Sequence, residues 1–285
     1  MWRRQPAPPS ATSSDSPWSI IGRMPAITLL TDFGLQDEFA GLLRGAILSV
    51  HPRAQIVDLC HAVPPGDCRR AAYLLSWAFP FFPRGTIHAA VVDPGVGTRR
   101  RILCAHAHGQ LFLAPDNGLL TLVLGAARRP IVHEVRDPRY WRPMVSATFH
   151  GRDIVAPVAA HLARGLNPAR LGPRTTTWQR LAFPVVRRRG WRLEAEVIDI
   201  DRFGNLTTNL DASCMPPRSL RSASCRIRVK GQVIQGAGRT YGDAREGALT
   251  AMISSRGLLE IAVRGGSAAR RLHARVGDRV VVEAP

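Results

Sequence analysis

Apolar residues first gather in a strand-length run, Ala26-Ile27-Thr28-Leu29-Leu30-Thr31, which ends at Asp32-Phe33-Gly34. From 37 to 50 the spacing changes to the helical period, with Phe39, Leu42, Leu43, Ile47 and Val50 recurring at one-turn intervals. Residues 56–59 read as a second strand. Asp67 is placed as the N-cap of a helix through Phe79, stopped by Pro80 and Pro83. Short strands are expected at 86–92, 102–106, 111–114 and 131–135. A helix over 154–164 has Pro157 in its first turn and Gly165 just past its end. Strands alternating with helices predict an α/β domain over 25–165, layered around a mostly parallel sheet.

The texture changes after Gly165. Residues 166–191 are rich in Pro and Arg and show no period, which marks a linker. Beyond it lie strand-like pieces at 193–198, 227–234, 249–253, 258–263 and 279–283. Strands with turn signals and little helix predict a small antiparallel barrel or sandwich over 192–285, taken here as a β-barrel domain. No internal repeat has a solenoid period. Residues 1–24 are rich in Pro, Ser, Ala and Arg and lack the continuous apolar stretch of a secretory signal. They are expected to form a disordered tail on a cytoplasmic protein, with Met24 as an alternative start.

Composition narrows the classes. The 285 residues are 45% apolar and 21% charged, as expected of a globular protein with a real core. No run approaches the ~18 apolar residues of a membrane-spanning helix. Net charge is +18, from 39 basic and 21 acidic residues, and Lys230 is the sole lysine. Such a balance can serve nucleic-acid binding. The arginines are scattered, however, with short runs only at 99–101 and 187–189, so nucleic acid is not the expected partner. Five cysteines (Cys60, Cys68, Cys104, Cys214 and Cys225) without a C-x-x-C pair argue against a disulfide framework and a structural zinc site.

Ligands of open α/β sheets bind beyond the carboxyl ends of the strands, and three polar clusters fall at such ends. The first is Thr31-Asp32-Phe33-Gly34, with Asp37 close by. A carboxylate beside a glycine turn suits a ribose diol, because it accepts two hydroxyl hydrogen bonds. The spacing equally allows Asp32 as a turn former and Asp37 as a helix N-cap. The second runs from Asp93 through Gly95, Gly97 and Thr98 to Arg99, Arg100 and Arg101. It has neither the ending of a P-loop nor a Rossmann fingerprint. Asp93 and Arg100 can meet across this loop, as part of a site or as a structural ion pair. The third, Ser146 to Asp153, sets His150 before a helix, either as a proton handler or anion donor or as a structural histidine. The remaining histidines, His106 and His108 included, lack further ligands at credible spacing, and no metal is assigned. Pro115-Asp116-Asn117-Gly118 is a turn signal expected to shape the site. In Asp201-Arg202-Phe203-Gly204-Asn205, Phe203 can stack on a planar base and Asn205 can pair with an adenine edge. The same residues also make an ordinary hairpin turn.

Taken together these segments resemble the S-adenosyl-L-methionine (SAM) hydroxide adenosyltransferases, or adenosine-forming SAM hydrolases, relatives of the SAM-dependent fluorinase and chlorinase. The resemblance spans about Ile27 to Val282. It is carried in order by Leu30-Thr31-Asp32-Phe33-Gly34, residues 91–98, residues 114–120, Phe149-His150-Gly151-Arg152-Asp153, Phe203-Gly204-Asn205 and Leu259-Glu260-Ile261-Ala262-Val263. It implies an N-terminal α/β domain, a C-terminal β-barrel and a homotrimer, with SAM between the N-terminal domain of one subunit and the C-terminal domain of its neighbour. The hydrolases' water-holding Asp-Arg-His trio maps onto Asp93, Arg100 and His150. By the same mapping Asp32 takes the ribose hydroxyls, Phe203 and Asn205 the adenine, and Asp37, Asp201, Ser255 and Arg256 the methionine portion. Arg99 and Ser254 depart from the family pattern, which more often has an acidic residue and an asparagine there.

The implied reaction is SAM plus water giving adenosine and L-methionine by attack at the ribose C5′. The sulfonium leaves as a neutral thioether and needs no general acid, so no cofactor or metal is expected. Two alternatives stand beside it. A SAM-dependent halogenase would use chloride or fluoride, but the fluorinase has a serine where this chain has Gly151. A non-catalytic nucleoside- or nucleic-acid-binding protein would use the positive charge.

Overall fold

The computed structural model describes residues 25–283; the tail expected over 1–24 lies outside them. The chain divides into two compact units with the boundary between Leu181 and Ala182. In the first, β1 (Ala26–Thr31), α1 (Phe39–Val50), β2 (Gln55–Cys60), α2 (Cys68–Ala78), β3 (Ile87–Val91), β4 (Ile102–Ala107), β5 (Gln110–Pro115), α3 (Thr121–Gly125), β6 (Ile131–Glu134), α4 (Ala156–Ala163) and β7 (Arg174–Thr175) follow in order. Their seven-stranded sheet runs β2-β1-β3-β5-β4-β6-β7.

The central strands β1, β3, β4 and β5 are buried on both faces, which explains why they read as near-continuous apolar runs. Ile87, Ala89 and Val91 of β3 pack on one side with α1 and α4. Ala90 and Val92 face the other side with α2 and α3. Helix α1 contributes Ala40, Leu43, Ala46 and Ile47 to the core, the stripe expected of a 3.6-residue period. Asp67 caps α2 by accepting from the Arg70 backbone N–H at 2.9 Å.

The sheet is less uniformly parallel than the strand–helix alternation suggests. β2, β1, β3 and β5 run parallel, whereas β4, β6 and β7 join antiparallel. The cause is local: only His108 and Gly109 separate β4 from β5, both with positive φ (54° and 76°). Two such residues make a tight hairpin turn, far too short for a parallel crossover.

The second unit contains β8 (Arg187–Arg189), β9 (Arg192–Ile200), β10 (Leu206–Asp211), α5 (Pro217–Leu220), β11 (Arg226–Val229), β12 (Gln232–Gln235), β13 (Leu249–Ile253), β14 (Leu258–Val263), α6 (Ala268–Leu272) and β15 (Arg279–Glu283). All its strand pairings are antiparallel, in the order β12-β11-β15-β9-β10-β14-β13, with β8 beside β9. The sheet curls until its ends approach: just past β12, Gly238 N–H donates to Ala251 O of β13 at 2.8 Å. The result is a nearly closed barrel around Leu193, Val197, Leu206, Ile227, Leu259, Ile261 and Val280.

Three local expectations shift. The piece expected over 227–234 is two strands, because Lys230 and Gly231 (φ 48° and 78°) form a second tight hairpin turn. Within 166–191, residues 174–175 and 187–189 join the two sheets as β7 and β8; strands of two or three residues carry no readable period. The helix expected over 154–164 begins as a π turn, Gly151–Val155, before α4 proper.

One buried polar network ties the first sheet together. His88 is fully buried, with Nδ1 2.7 Å from Thr28 Oγ1 and Nε2 3.1 Å from Gln110 Oε1. The Gln110 amide nitrogen donates to the carbonyls of Phe79, Phe82 and Pro83, so its oxygen must face the ring. His88 therefore donates through Nε2 and accepts the Thr28 hydroxyl at Nδ1, as a neutral imidazole stacked on Phe112. Burial pushes its pKa down to about 4, against the opposing hydrogen bond to Gln110. A group depressed on folding contributes stability that is full above its unfolded pKa of about 6.5 and is lost as pH falls toward 4. The contribution is about 3 kcal/mol. Urea unfolding at pH 7 and 4.5 is expected to show a larger acid loss for the wild type than for His88→Gln, by about 2 kcal/mol. Parallel pH profiles would contradict this assignment.

Candidate active site

β1 and β3 are neighbours with Thr31 opposite Val91, so Asp32 and Asp93 emerge from the carboxyl ends of adjacent parallel strands. The loop after β3 then doubles back. Val96 N–H donates to Asp93 O, and both the backbone N–H and the hydroxyl of Thr98 donate to Gly95 O. Gly97, at φ +80°, passes so near the 146–149 segment that a Cβ would lie 2.8 Å from Ala147 O. This turn folds Arg100 over Asp93. Arg100 Nε lies 2.9 and 2.7 Å from the two carboxylate oxygens, and Nη2 is 2.5 Å from Oδ2. Both side chains are more than nine-tenths buried.

The other reach of Arg100 is to His150, whose Nδ1 is 2.9 Å from Nη2. A guanidinium has only donors, so Nδ1 is the acceptor and the neutral ring carries its proton on Nε2. Burial lowers the His150 pKa, and Arg100 lowers it further, against opposing pulls from Asp93 and Asp153. Nε2–H has no hydrogen-bond partner among the described residues. The segment before His150 is anchored by Asp153, fully buried, which accepts from Ser146 N–H (2.9 Å) and from Arg152 (2.6 and 2.9 Å). Burial raises the Asp153 pKa, but Arg152, the Ser146 N–H and Arg142 outweigh it and keep the carboxyl below its usual range. Phe149 packs edge-on against Phe33 and Phe39 with centroids 5.5 Å away, linking the His150 segment to the residue after Asp32.

The three consecutive arginines divide their work. Arg99 is exposed, Arg100 serves the site, and Arg101 is spent on Asp116 (2.5 Å) and Glu134 (2.8 Å). Asn117 donates to Val92 O at 2.8 Å, which supports the expected shaping role of that turn. Asp32 accepts from Gly66 N–H at 2.8 Å. Burial together with the charges of Asp93, Asp32 and Asp67 pushes the nearby Cys68 thiol up to about 11. Asp37 is exposed in the turn before α1, whose N-cap is Glu38, so the helix-cap alternative for Asp37 falls away.

The remaining candidates lie in the second unit. Asp201, Phe203 and Asn205 form the turn from β9 to β10. Asp201 Oδ1 accepts from the backbone N–H groups of Phe203 and Asn205, and Oδ2 from the Asn205 amide, so Asp201 is occupied with its own turn. Gly204 is required there: at φ +85° a Cβ would lie 2.0 Å from Ser267 Oγ. Phe203 is left 74% exposed, a free aromatic face. Ser255 is exposed in the turn between β13 and β14, and Arg256 beside it reaches Asp199 at 2.9 Å and Thr207 at 3.1 Å. Tyr241 donates to Glu260, and burial, Glu260 and Asp201 raise its pKa to about 12 against the pull of Arg256. The structure thus gathers Asp93, Arg100 and His150 in one cluster, with Asp32 on the adjacent strand end. Asp199 and Thr207, which the sequence patterns do not single out, hold Arg256 in the barrel, and Tyr241, equally unmarked, is bonded to Glu260. Among the described residues no group of three or more His, Cys, Asp or Glu side chains is arranged to hold a metal ion.

Comparison with known proteins shows the family. Residues 27–172 match the family model of the SAM hydroxide adenosyltransferase N-terminal domain, and residues 195–281 that of the C-terminal domain. The chain is 41% identical over 268 residues to the (R)-S-adenosyl-L-methionine hydrolase of Salinispora tropica, covering 91% of this chain and 98% of the relative. It is 30% identical to a fluorinase of Nocardia brasiliensis, over 92% of this chain and 98% of that one. A crystal structure of an uncharacterized conserved protein from Thermotoga maritima superposes with a TM-score of 0.85 at 35% identity, covering 90% of this chain and 99% of the other. The chain belongs to the SAM hydroxide adenosyltransferase family.

Proposed function

We propose that this chain hydrolyses SAM to adenosine and L-methionine, a water attacking the ribose C5′ as the C5′–sulfur bond breaks. The observation that carries this is the buried Asp93–Arg100–His150 contact at the carboxyl ends of the parallel strands. The sulfonium leaves as neutral methionine thioether, so the protein has to supply only a positioned and activated oxygen nucleophile. Bulk water, with a pKa of about 15.7, is a poor nucleophile at neutral pH unless its charge development is favoured. Arg100, more than nine-tenths buried, provides fixed positive charge beside the water, where it is worth more than in bulk solvent. As a proton handler His150 has two roles to choose between, accepting the water proton or orienting the water. The tautomer imposed by Arg100 favours the second: Nε2–H donates to the water oxygen, and no lone pair of the ring is free. Asp93 retains acceptor capacity and is the group placed to take the water proton as the C–O bond forms. Atoms balance as SAM plus water giving adenosine, methionine and one proton, with no redox change.

In the same proposal Asp32 binds the ribose hydroxyls, Phe203 and Asn205 the adenine, and Asp37, Asp201, Ser255 and Arg256 the methionine portion. The Asp201 carboxylate, already engaged in its turn, acts there by holding Asn205 in place as much as by touching substrate. No cofactor is needed for this chemistry. A homotrimer and a cytoplasmic location belong to the proposal; no helix among the described residues is long and apolar enough to cross a membrane. Halide transfer is the second reading, motivated by the fluorinase relatives. Gly151 favours water: a Cβ there would lie 3.1 Å from Val91 and 3.4 Å from Phe33, so the serine found in the fluorinase would crowd both.

Arg100→Lys keeps a cation beside the buried Asp93 but cannot hold Asp93 and His150 together. Turnover of SAM, followed as adenosine by chromatography, is expected to fall roughly a hundredfold or more while the thermal transition moves little. Near-wild-type turnover in that variant would remove Arg100 from the mechanism. Protonating His150 would destroy its acceptor for Arg100. Because its pKa is lowered from 6.5, kcat should stay flat through neutrality and fall on an acid limb with its midpoint below 6.5. An acid limb centred above neutrality would contradict the neutral-donor role.

A further inference from the structure

We infer that His61 is a positioning residue for nucleoside recognition: it fixes the turn at 31–34 so that Asp32 presents one carboxylate oxygen to the ribose diol. This rests on the ribose role of Asp32 proposed above and adds a residue that no sequence pattern marked. His61 follows β2, is 4% exposed, and has both ring nitrogens occupied. Nδ1 lies 2.8 Å from Thr31 Oγ1, and Nε2 lies 3.0 Å from Asp58 Oδ1. Asp58 is in turn held by Arg44 across from α1. Burial raises the Asp58 pKa, but Arg44 and His61 outweigh it and keep the carboxylate charged.

The residues flanking Asp32 are those that His61 grips. Its ring takes the Thr31 hydroxyl, which also accepts from Phe33 N–H at 3.2 Å, and its carbonyl accepts from Gly34 N–H at 2.7 Å. The same short segment continues to the carboxylate itself. Val63 N–H donates to Thr31 O, and Gly66 N–H donates to Asp32 Oδ2 at 2.8 Å. Gly66, at φ +73°, is also close enough to the Asp93 loop that a Cβ would sit 3.6 Å from Pro94. Asp32 Oδ2 is thus anchored by the frame through one of its lone pairs, while Oδ1 has no hydrogen-bond partner among the described residues. A carboxylate anchored through one lone pair is oriented for a ligand, and a ribose diol can donate its two hydroxyls to the acceptor sites that remain at this strand end. Without the ring, the Thr31 hydroxyl loses its buried partner and the frame its anchor to α1 and β2.

The test compares binding of adenosine and 2′-deoxyadenosine by calorimetry, using the full chain, alongside SAM kinetics. The wild type is expected to prefer adenosine by about ten- to a hundredfold, the range of one hydrogen bond to a charged group. In His61→Phe the preference should shrink to within about threefold. KM for SAM should rise about tenfold or more and kcat fall less than about threefold, because Asp93, Arg100 and His150 are untouched. Thr31→Val removes the same bond with little change of volume and serves where His61→Phe does not fold. A folded variant of either kind that keeps the wild-type preference overturns the inference. Asp32→Asn separates the two levels. If it keeps the preference, the ribose role of Asp32 fails; if it alone loses the preference, only the role of His61 fails.

Discussion

Arg100 lies along both oxygens of a buried carboxylate and still reaches a histidine, and the geometry of the site follows from that one side chain. Taking an ion pair out of water is costly unless each charge is met by good geometry. Here the Asp93 loop supplies it, with Gly97 allowing the close approach to Ala147 that draws the 146–150 segment against the loop. Because a guanidinium can only donate, the contact also sets the tautomer of His150. One interaction therefore sets the charge, the orientation and the proton inventory of the cluster.

The surrounding structure holds that arrangement still. Asp153 takes four polar contacts and anchors the segment before His150, Asn117 steadies the residue before Asp93, and Arg101 is drawn away into its own pairs with Asp116 and Glu134. Neutral buried networks do the same for the sheet. His88 joins β1, β3 and β5 through Thr28 and Gln110 without introducing a charge. In the barrel, Arg256 leans on Asp199 and Thr207, which stand opposite one another on paired strands. Other arginines, among them Arg101, Arg139, Arg152 and Arg192, are engaged in ion pairs within the chain.

Features with a period or a local chemical signature were legible in the sequence. The strand Ala26–Thr31, the Asp67 cap and the strands 249–253, 258–263 and 279–283 stand where the patterns put them. The pairing of Asp93 with Arg100 was legible too, because a base seven positions after the acid can fold back on it across a loop with two glycines. What escaped was decided by tertiary partners. The αL turn at Lys230 has no signature beyond Gly231, and the hairpin at His108 sets β4 antiparallel to β5 without altering its apolar pattern. His61 looks like an isolated histidine until β2 sets it beside Thr31, thirty residues earlier in the chain. Its one sequence signal is Asp58 three residues before it, a spacing too common to stand alone. Asp199 is invisible for the same reason: its partner Arg256 lies 57 residues away.

Which atom attacks C5′ is the most direct test of this account. SAM is incubated with the protein in heavy-oxygen water, with and without chloride, and the products are read by mass spectrometry. The account predicts adenosine carrying one heavy oxygen at its 5′ position, together with unlabelled methionine, in equal amounts whether or not chloride is present. Unlabelled adenosine, or a 5′-halogenated nucleoside that grows with chloride, would contradict it.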